Sequence, residues 1–75
     1  MKLDELKKGE SGIVLALNCD SELKNRFYSF GIVKGAEVFI EEITMTKSTI
    51  EVRIGTTKVA IRMSEASKIQ VNNGK

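Results

Sequence analysis

The chain has 75 residues, with 12 Lys and Arg against 10 Asp and Glu, a formal net charge of +2 and no histidine. This length predicts a single domain over 1–75 with a small core, and a composition that is 41% hydrophobic and 29% charged excludes disordered, collagen-like and disulfide-scaffold classes. The single cysteine, Cys19, excludes an intrachain disulfide and is typical of a reducing compartment. Because there is no signal peptide and no apolar run long enough to span a bilayer, we expect a cytoplasmic protein without direct membrane insertion.

The first predicted elements are a short turn and a strand. Leu3 and Leu6 are spaced for a single helical turn that closes the edge of a barrel. The segment 9–12 is predicted to be a loop, with Gly9 and Gly12 as its turn residues. Residues 13–17 are apolar throughout, which favours a strand covered on both faces, although a short buried helix would have the same pattern.

A helix is predicted to follow, from Asp20 to Phe30. Asp20 is suited to the N-cap, and Leu23, Phe27 and Phe30 recur at the spacing of one helical face. Gly31 can adopt the left-handed conformation that ends a helix. These three apolar side chains are therefore predicted to belong to the core.

A second strand begins after a turn in which Gly35 supplies the positive φ of a type II geometry. Val38 and Ile40 then point to one face of the strand, whereas Phe39 points to the other. The alternation is interrupted at Glu42, which predicts a β-bulge or the end of the strand there.

The clearest strand pattern is a hairpin. Apolar residues alternate with polar ones in 50–54 and again in 58–62, and Gly55 and Thr56 between them suit a two-residue turn. This arrangement predicts the third and fourth strands.

The chain is predicted to end with one helical turn, a last strand and a tail. The turn covers 63–66 with Ser64 at its N-cap, the strand covers 69–71, and 72–75 form a frayed tail. The sum is a mainly β protein of about five short strands, with one helix between the first and second strands. Short strands with little helix indicate a small barrel.

The order of these elements and their motifs resembles the FeoA family from about Leu3 to Val71. The residues that carry the resemblance are Leu6-Lys7-Lys8-Gly9-Glu10-Ser11-Gly12, Arg26-Phe27-Tyr28-Ser29-Phe30-Gly31-Ile32-Val33-Lys34-Gly35-Ala36-Glu37-Val38, Gly55-Thr56-Thr57-Lys58-Val59-Ala60-Ile61-Arg62 and Glu65-Ala66-Ser67-Lys68-Ile69-Gln70-Val71. The chain departs from the family pattern at Lys34, where proline is common, and over 44–49, where the family tends to have a "P-x-G-D-P" type loop.

The resemblance implies a small SH3-like β-barrel and a role in ferrous iron import. In the FeoA family the small protein is an accessory of FeoB, the membrane GTPase-permease that imports ferrous iron, and is thought to act at its cytosolic GTPase part. The expected partner is therefore a FeoB-like permease, and the chain would be recruited through it to the inner face of the membrane.

The residue types do not predict an enzyme. Without histidine the chain cannot assemble a Ser-His triad or a histidine general base, and its glycines do not form a P-loop. Glu41 and Glu42 are adjacent in a strand and would point to opposite faces. With Cys19 as the one thiol, we expect no catalytic residues, no cofactor and no strong transition-metal site within one protomer.

The expected activity is therefore binding to another protein. The predicted working surface is the exposed edge of the helix with Lys24, Arg26 and Tyr28, joined by Phe39 if that ring is exposed rather than packed under the helix. The glycines at 9, 12, 31, 35 and 55 are expected to serve backbone turns. Two alternatives remain open, a nucleic-acid-binding SH3-like module and a self-associating module, although the basic residues do not form the clustered face that nucleic acid usually requires.

Overall fold

The computed structural model describes residues 1–46 and 48–72. The elements in chain order are a 3-10 turn (Leu3–Glu5), β1 (Ser11–Leu17), α1 (Ser21–Ser29), β2 (Glu37–Ile43), β3 (Thr49–Ile54), β4 (Thr57–Arg62), α2 (Met63–Ala66) and β5 (Ile69–Val71). All strand pairs are antiparallel, and the strand order is β4-β3-β2-β1-β5. The prediction of a mainly β fold with a helix between the first two strands is confirmed.

β1 connects the two halves of the barrel. Its first residues, Ser11 to Ile13, pair with β2, whereas Val14 to Leu17 pair with β5 on the opposite edge. The register with β5 shifts between Val14 and Ala16, as expected where a strand bends. A strand that changes partner in this way curves the sheet round on itself.

The core consists of one apolar face from each strand together with residues of both helices and the N-terminal turn. No polar or charged side chain is buried among the described residues. The buried set is Leu3, Leu6, Val14, Phe27, Ile32, Val38, Ile40, Ile50, Val52, Ile61, Ala66, Ile69 and Val71. The alternation predicted for the strands is thus confirmed, and the bulge after Ile40 lies between Ile40 and Glu42.

α1 begins and ends at the predicted residues. Asp20 is the N-cap, and its Oδ1 accepts a hydrogen bond of 2.9 Å from the Leu23 N–H. Phe30 is the C-cap, and Gly31 has a φ of 86°, the left-handed conformation that stops the helix. Phe27 is fully buried, whereas Leu23 and Phe30 are half-buried against the core.

Four of the five predicted turn glycines have positive φ, namely Gly9, Gly31, Gly35 and Gly55. The Ala36 N–H donates to the Val33 carbonyl across 2.9 Å, which closes the predicted turn around Gly35. The hairpin from β3 to β4 turns through two residues as predicted, because Ile54 pairs directly with Thr57.

Gly12 is not a turn residue, and the loop prediction there was wrong. It lies inside β1, and β1 begins at Ser11 because its first residues already pair with β2. A Cβ at Gly12 would lie 2.5 Å from the Asn72 carbonyl oxygen and 3.1 Å from the Cβ of Val71. Close approach of two chain segments, rather than backbone conformation, requires glycine at this position.

Two smaller expectations were also wrong. Leu15 is 44% exposed, because it lies at the register shift between Val14, which is buried, and Leu17, which packs against the core after the shift. The N-cap of α2 is Arg62 rather than Ser64, since the helix already begins at Met63.

The expected frayed tail does not begin at Asn72. Its side-chain oxygen accepts a hydrogen bond from the Ile13 N–H at 3.1 Å, and its own N–H donates to the Ile13 carbonyl. The remainder of that prediction, 73–75, lies outside the described residues.

Candidate functional site

The three helix residues of the predicted working surface, Lys24, Arg26 and Tyr28, all lie on α1. Phe27 points into the core, and its neighbour Tyr28 is 49% exposed. Lys24 is half-buried and forms no ion pair with any residue in 1–46 or 48–72, whereas Arg26 is exposed. Lys24 and Tyr28 are one turn apart and share one side of the helix, whereas Arg26 lies about 160° round the helix from both, on the side that faces α2.

Arg26 is held in place by an acidic residue of α2. Its Nη1 lies 3.0 Å from Oε2 of Glu65, and the Glu65 side chain is only 16% exposed. The other oxygen, Oε1, accepts a hydrogen bond of 3.1 Å from the Arg62 N–H at the start of α2. Glu65 thus restricts the guanidinium, and Arg26 still has half of its side chain in solvent.

A shallow cleft of about 240 Å³ separates α1 from α2. Its walls are formed by Asp20, Glu22, Leu23, Arg26 and Glu65. Two of the three carboxylates are already engaged, since Asp20 caps α1 and Glu65 pairs with Arg26. Glu22 is exposed, and the cleft is therefore suited to a polar or cationic side chain of a partner rather than to an apolar ligand.

The ring of Phe39 does not join this edge. It lies on the outer face of β2, where its partners across the sheet are Ser11 and Arg53. The Arg53 guanidinium lies 4.9 Å from the ring centroid, a cation–π contact. Phe39 is half-buried beneath Arg53, so neither expectation, packing under the helix or an open apolar patch, describes it.

The outer face of β2, β3 and β4 has an ion-pair network. Glu41 lies 3.0 Å from Arg53 and 4.0 Å from Lys58, and Glu51 lies 3.4 Å from Lys58. The two acidic side chains interrupt the basic ones, so this face of the described sheet lacks the continuous positive surface that favours a phosphate backbone.

Within 1–46 and 48–72 there is no group of three or more Cys, Asp and Glu side chains placed to hold a metal ion. No helix in this described portion has the length and apolar character that crossing a membrane requires.

Sequence reasoning missed Glu65 as part of the site. Glu65 and Arg26 are 39 positions apart, and nothing in the local pattern of either segment connects them. Arg26 lies near the end of α1 and Glu65 lies in the helical turn before the last strand. Only the packing of α2 beside α1 brings the two side chains together.

Fold and surface together define a small SH3-like β-barrel that carries one capped helix with a polar, exposed edge. The FeoA domain model matches residues 1–73. A Campylobacter jejuni protein named as Fe(2+) transport protein A is 40% identical over 72 residues, which is 96% of this chain and 97% of that protein. A Helicobacter pylori protein of the same name is 41% identical over 79% of this chain and 78% of its own length. The chain belongs to the FeoA family.

Solved structures agree with this assignment. The FeoA protein of Chlorobium tepidum has a TM-score of 0.92 at 29% identity, over 97% of this chain and 70% of that one. FeoA of Stenotrophomonas maltophilia, described as a prokaryotic SH3 domain protein and solved with zinc, has a TM-score of 0.83 at 29% identity over 96% and 89% of the two chains. A manganese-dependent transcriptional repressor at 22% identity and a TM-score of 0.86 shares the fold alone.

These comparisons establish the general role of the chain. It is an accessory protein of ferrous iron transport, in a family that is not a known enzyme family.

Proposed function

We propose that this protein acts in the cytoplasm by direct contact with a FeoB-type membrane GTPase-permease. The contact is made with the cytosolic GTPase part of the permease, and it recruits this protein to the inner face of the membrane. The observation that supports this proposal most is the ion pair between Arg26 and Glu65. The Glu65 carboxylate lies 3.0 Å from the Arg26 guanidinium and so holds an exposed cation in place on α1. A positioned charge loses less side-chain entropy on binding than a freely rotating one.

The proposed contact surface is the edge of α1 with Lys24, Arg26 and Tyr28. Tyr28 offers a half-exposed aromatic ring one helical turn from Lys24, and Arg26 adds a second cation on the other side of the helix. Aromatic residues and arginine are both enriched in protein interfaces. Phe39 belongs to the proposal only as a second contact, since it lies beneath Arg53 on the outer face of the sheet.

The test is an NMR titration of the ¹⁵N-labelled chain with the cytosolic GTPase domain of the FeoB-type permease from the same cell. We expect shift changes concentrated on α1 between Asp20 and Phe30. A folded chain whose spectrum does not change at high concentrations of the domain would overturn the proposed contact.

Arg26→Glu should weaken this binding at least tenfold, because it reverses the one cation of the proposed surface that a carboxylate holds in place, as expected for a contact worth more than about 1.4 kcal/mol. Its melting temperature should fall by no more than about 4–8 °C, since an ion pair at the surface contributes at most about 1 kcal/mol.

The matched control is Glu65→Gln, which removes the same ion pair but keeps the cation. It should bind within a few-fold of the unmodified chain. If both variants lose binding equally, the position of α2 rather than the charge of Arg26 is responsible, and if neither loses binding the helix edge is not the contact.

A further inference from the structure

The outer edge of β4 has unpaired backbone groups. Ile54 and Thr57 form a directly opposed pair across the two-residue turn, so alternate residues from Thr57 onward bond to β3. The Met63 N–H continues this series, since it donates to the Ser48 carbonyl at 3.0 Å. The N–H and C=O groups of Lys58 and Ala60 consequently point away from β3.

Nothing in the described chain pairs with these groups. β4 is the last strand of the sheet order, and no backbone or side-chain group within 1–46 or 48–72 bonds to the backbone of Lys58 or Ala60 on this side. The next outward N–H, that of Arg62, donates to Glu65, which ends the open edge. Besides β3, only α2 packs extensively against β4, and α2 follows at the Arg62 end.

The side chains beside this edge indicate what could pair with it. Lys58, Ala60 and Arg62 are exposed on the outer face. Lys58 is shared with Glu41 and Glu51, whereas Arg62 has no ion-pair partner in the described part of the chain. On the inner face Val59 is only half-buried, although it packs against the core. On one face an added strand would therefore meet Arg62, a cation with no ion-pair partner among the described residues, and Lys58, a cation shared with Glu41 and Glu51. On the other face it would meet an incompletely covered apolar side chain.

A second copy of the chain is a poor match for the edge. An antiparallel pairing of two β4 strands through the open groups of Lys58 and Ala60 places each Lys58 opposite Ala60 and diagonal to both Lys58 and Arg62 of the other copy. Diagonal positions are within reach of long side chains, so these like charges repel across the strand pair. Cations along an edge strand are a common protection against self-pairing.

We propose that the β4 edge binds an extended segment of a partner protein by strand addition, and that this segment alternates acidic with apolar residues. The backbone of Lys58 and Ala60 supplies the hydrogen bonds. Acidic side chains of the segment lie opposite Lys58 and Arg62, and its apolar side chains cover Val59. This surface is distinct from the edge of α1.

The test uses the ¹⁵N-labelled full chain and the capped heptapeptide Thr-Glu-Val-Glu-Val-Glu-Thr. On saturation, we expect amide hydrogen exchange at Lys58 and Ala60 to slow at least tenfold, because their N–H groups become bonded. A peptide with lysine in place of glutamate should bind at least tenfold more weakly. The same heptapeptide N-methylated at the residues whose N–H groups face β4 should not protect these amides.

Two variants and their control complete the experiment. Ala60→Pro removes one open N–H without removing a bond inside the chain, and should abolish binding, whereas Ala60→Thr keeps the N–H and should bind. Arg62→Glu should weaken binding by about tenfold by placing like charges opposite each other, and it tests the proposal even if Ala60→Pro does not fold.

Several results would overturn the proposal. These are unaltered spectra of the folded chain at millimolar peptide, shift changes confined to α1, undiminished binding by a folded Ala60→Pro chain, or equal binding by Arg62→Glu. Protection of Lys58 and Ala60 that appears without peptide and rises with chain concentration would instead show that a second copy occupies the edge.

Discussion

Neighbouring residues of α1 differ sharply in what they do. Phe27 is fully buried among the core side chains, and Tyr28 beside it is half-exposed. Both are aromatic and both lie in the interior of the same helix, so their intrinsic helix propensities are close. Truncating each of them in turn therefore separates the contribution of core packing to the free energy of unfolding from the contribution of helix propensity.

Phe27→Ala should lower the free energy of unfolding by about 3–5 kcal/mol, the range for truncation of a buried phenylalanine. A chain of this size has a total stability of only about 4–11 kcal/mol, so the variant should be close to unfolding at room temperature. Urea denaturation followed by circular dichroism measures the change.

Tyr28→Ala is the matched control and should cost less than about 1 kcal/mol. A Phe27→Ala chain as stable as the control would contradict the placement of Phe27 in the core.

Residue patterns were sufficient to predict most of the buried positions, because a single face of a strand or helix is determined by local periodicity. They were not sufficient for Leu15 and Phe39. Leu15 is apolar but faces solvent, and Phe39 is covered by Arg53 from the neighbouring strand. Whether an outward side chain is covered depends on residues that are distant in sequence.

At the scale of the element, α1 is defined by local chemistry at both ends. Asp20 accepts the Leu23 N–H, and Gly31 ends the helix in a left-handed conformation. Both signals act within about four residues, which is why the helix bounds could be predicted from the sequence. The helix has nine residues and would be marginal in isolation, so its cap contributes to keeping the proposed contact edge ordered.

Asp20→Ala should destabilise the protein by about 1 kcal/mol through loss of this cap. For a domain of this size the expected fall in melting temperature is about 4–8 °C. Asp20→Asn can still accept the same hydrogen bond and should keep most of the stability. Thermal unfolding by circular dichroism distinguishes the two, and equal melting temperatures for alanine and asparagine would show that the cap contributes nothing.

In the molecule as a whole, segments from both ends of the described chain pack closely against Gly12 of β1. A side chain there would meet the Asn72 carbonyl oxygen at 2.5 Å, Val71 at 3.1 Å and Leu6 at 3.2 Å, which are groups from both ends of the described chain. The φ of Gly12 is outside the left-handed region. Space, and not backbone conformation, therefore makes glycine necessary.

Gly12→Ala should destabilise the protein by about 1–3 kcal/mol, the range for overpacking a tight site. Ser11→Ala on the same strand should change stability by less than about 0.5 kcal/mol, because that side chain is more exposed and its bond to Glu37 is a long 3.3 Å. Chemical denaturation of both variants is the measurement. A Gly12→Ala chain with unchanged stability would show that β1 and the segment after β5 can separate without cost.

The ordered motifs of the chain indicated its family through their resemblance to the FeoA pattern. Local patterns were sufficient to predict the strand and helix faces and most turns. These properties follow from alternation, capping and glycine conformation, all of which act over a few residues. Three features became evident only from the packing of the chain: Glu65 positions Arg26, Gly12 lies in a strand, and the outer edge of β4 has no partner among residues 1–46 and 48–72. Each of these depends on which distant segments lie side by side, and local patterns do not contain that information.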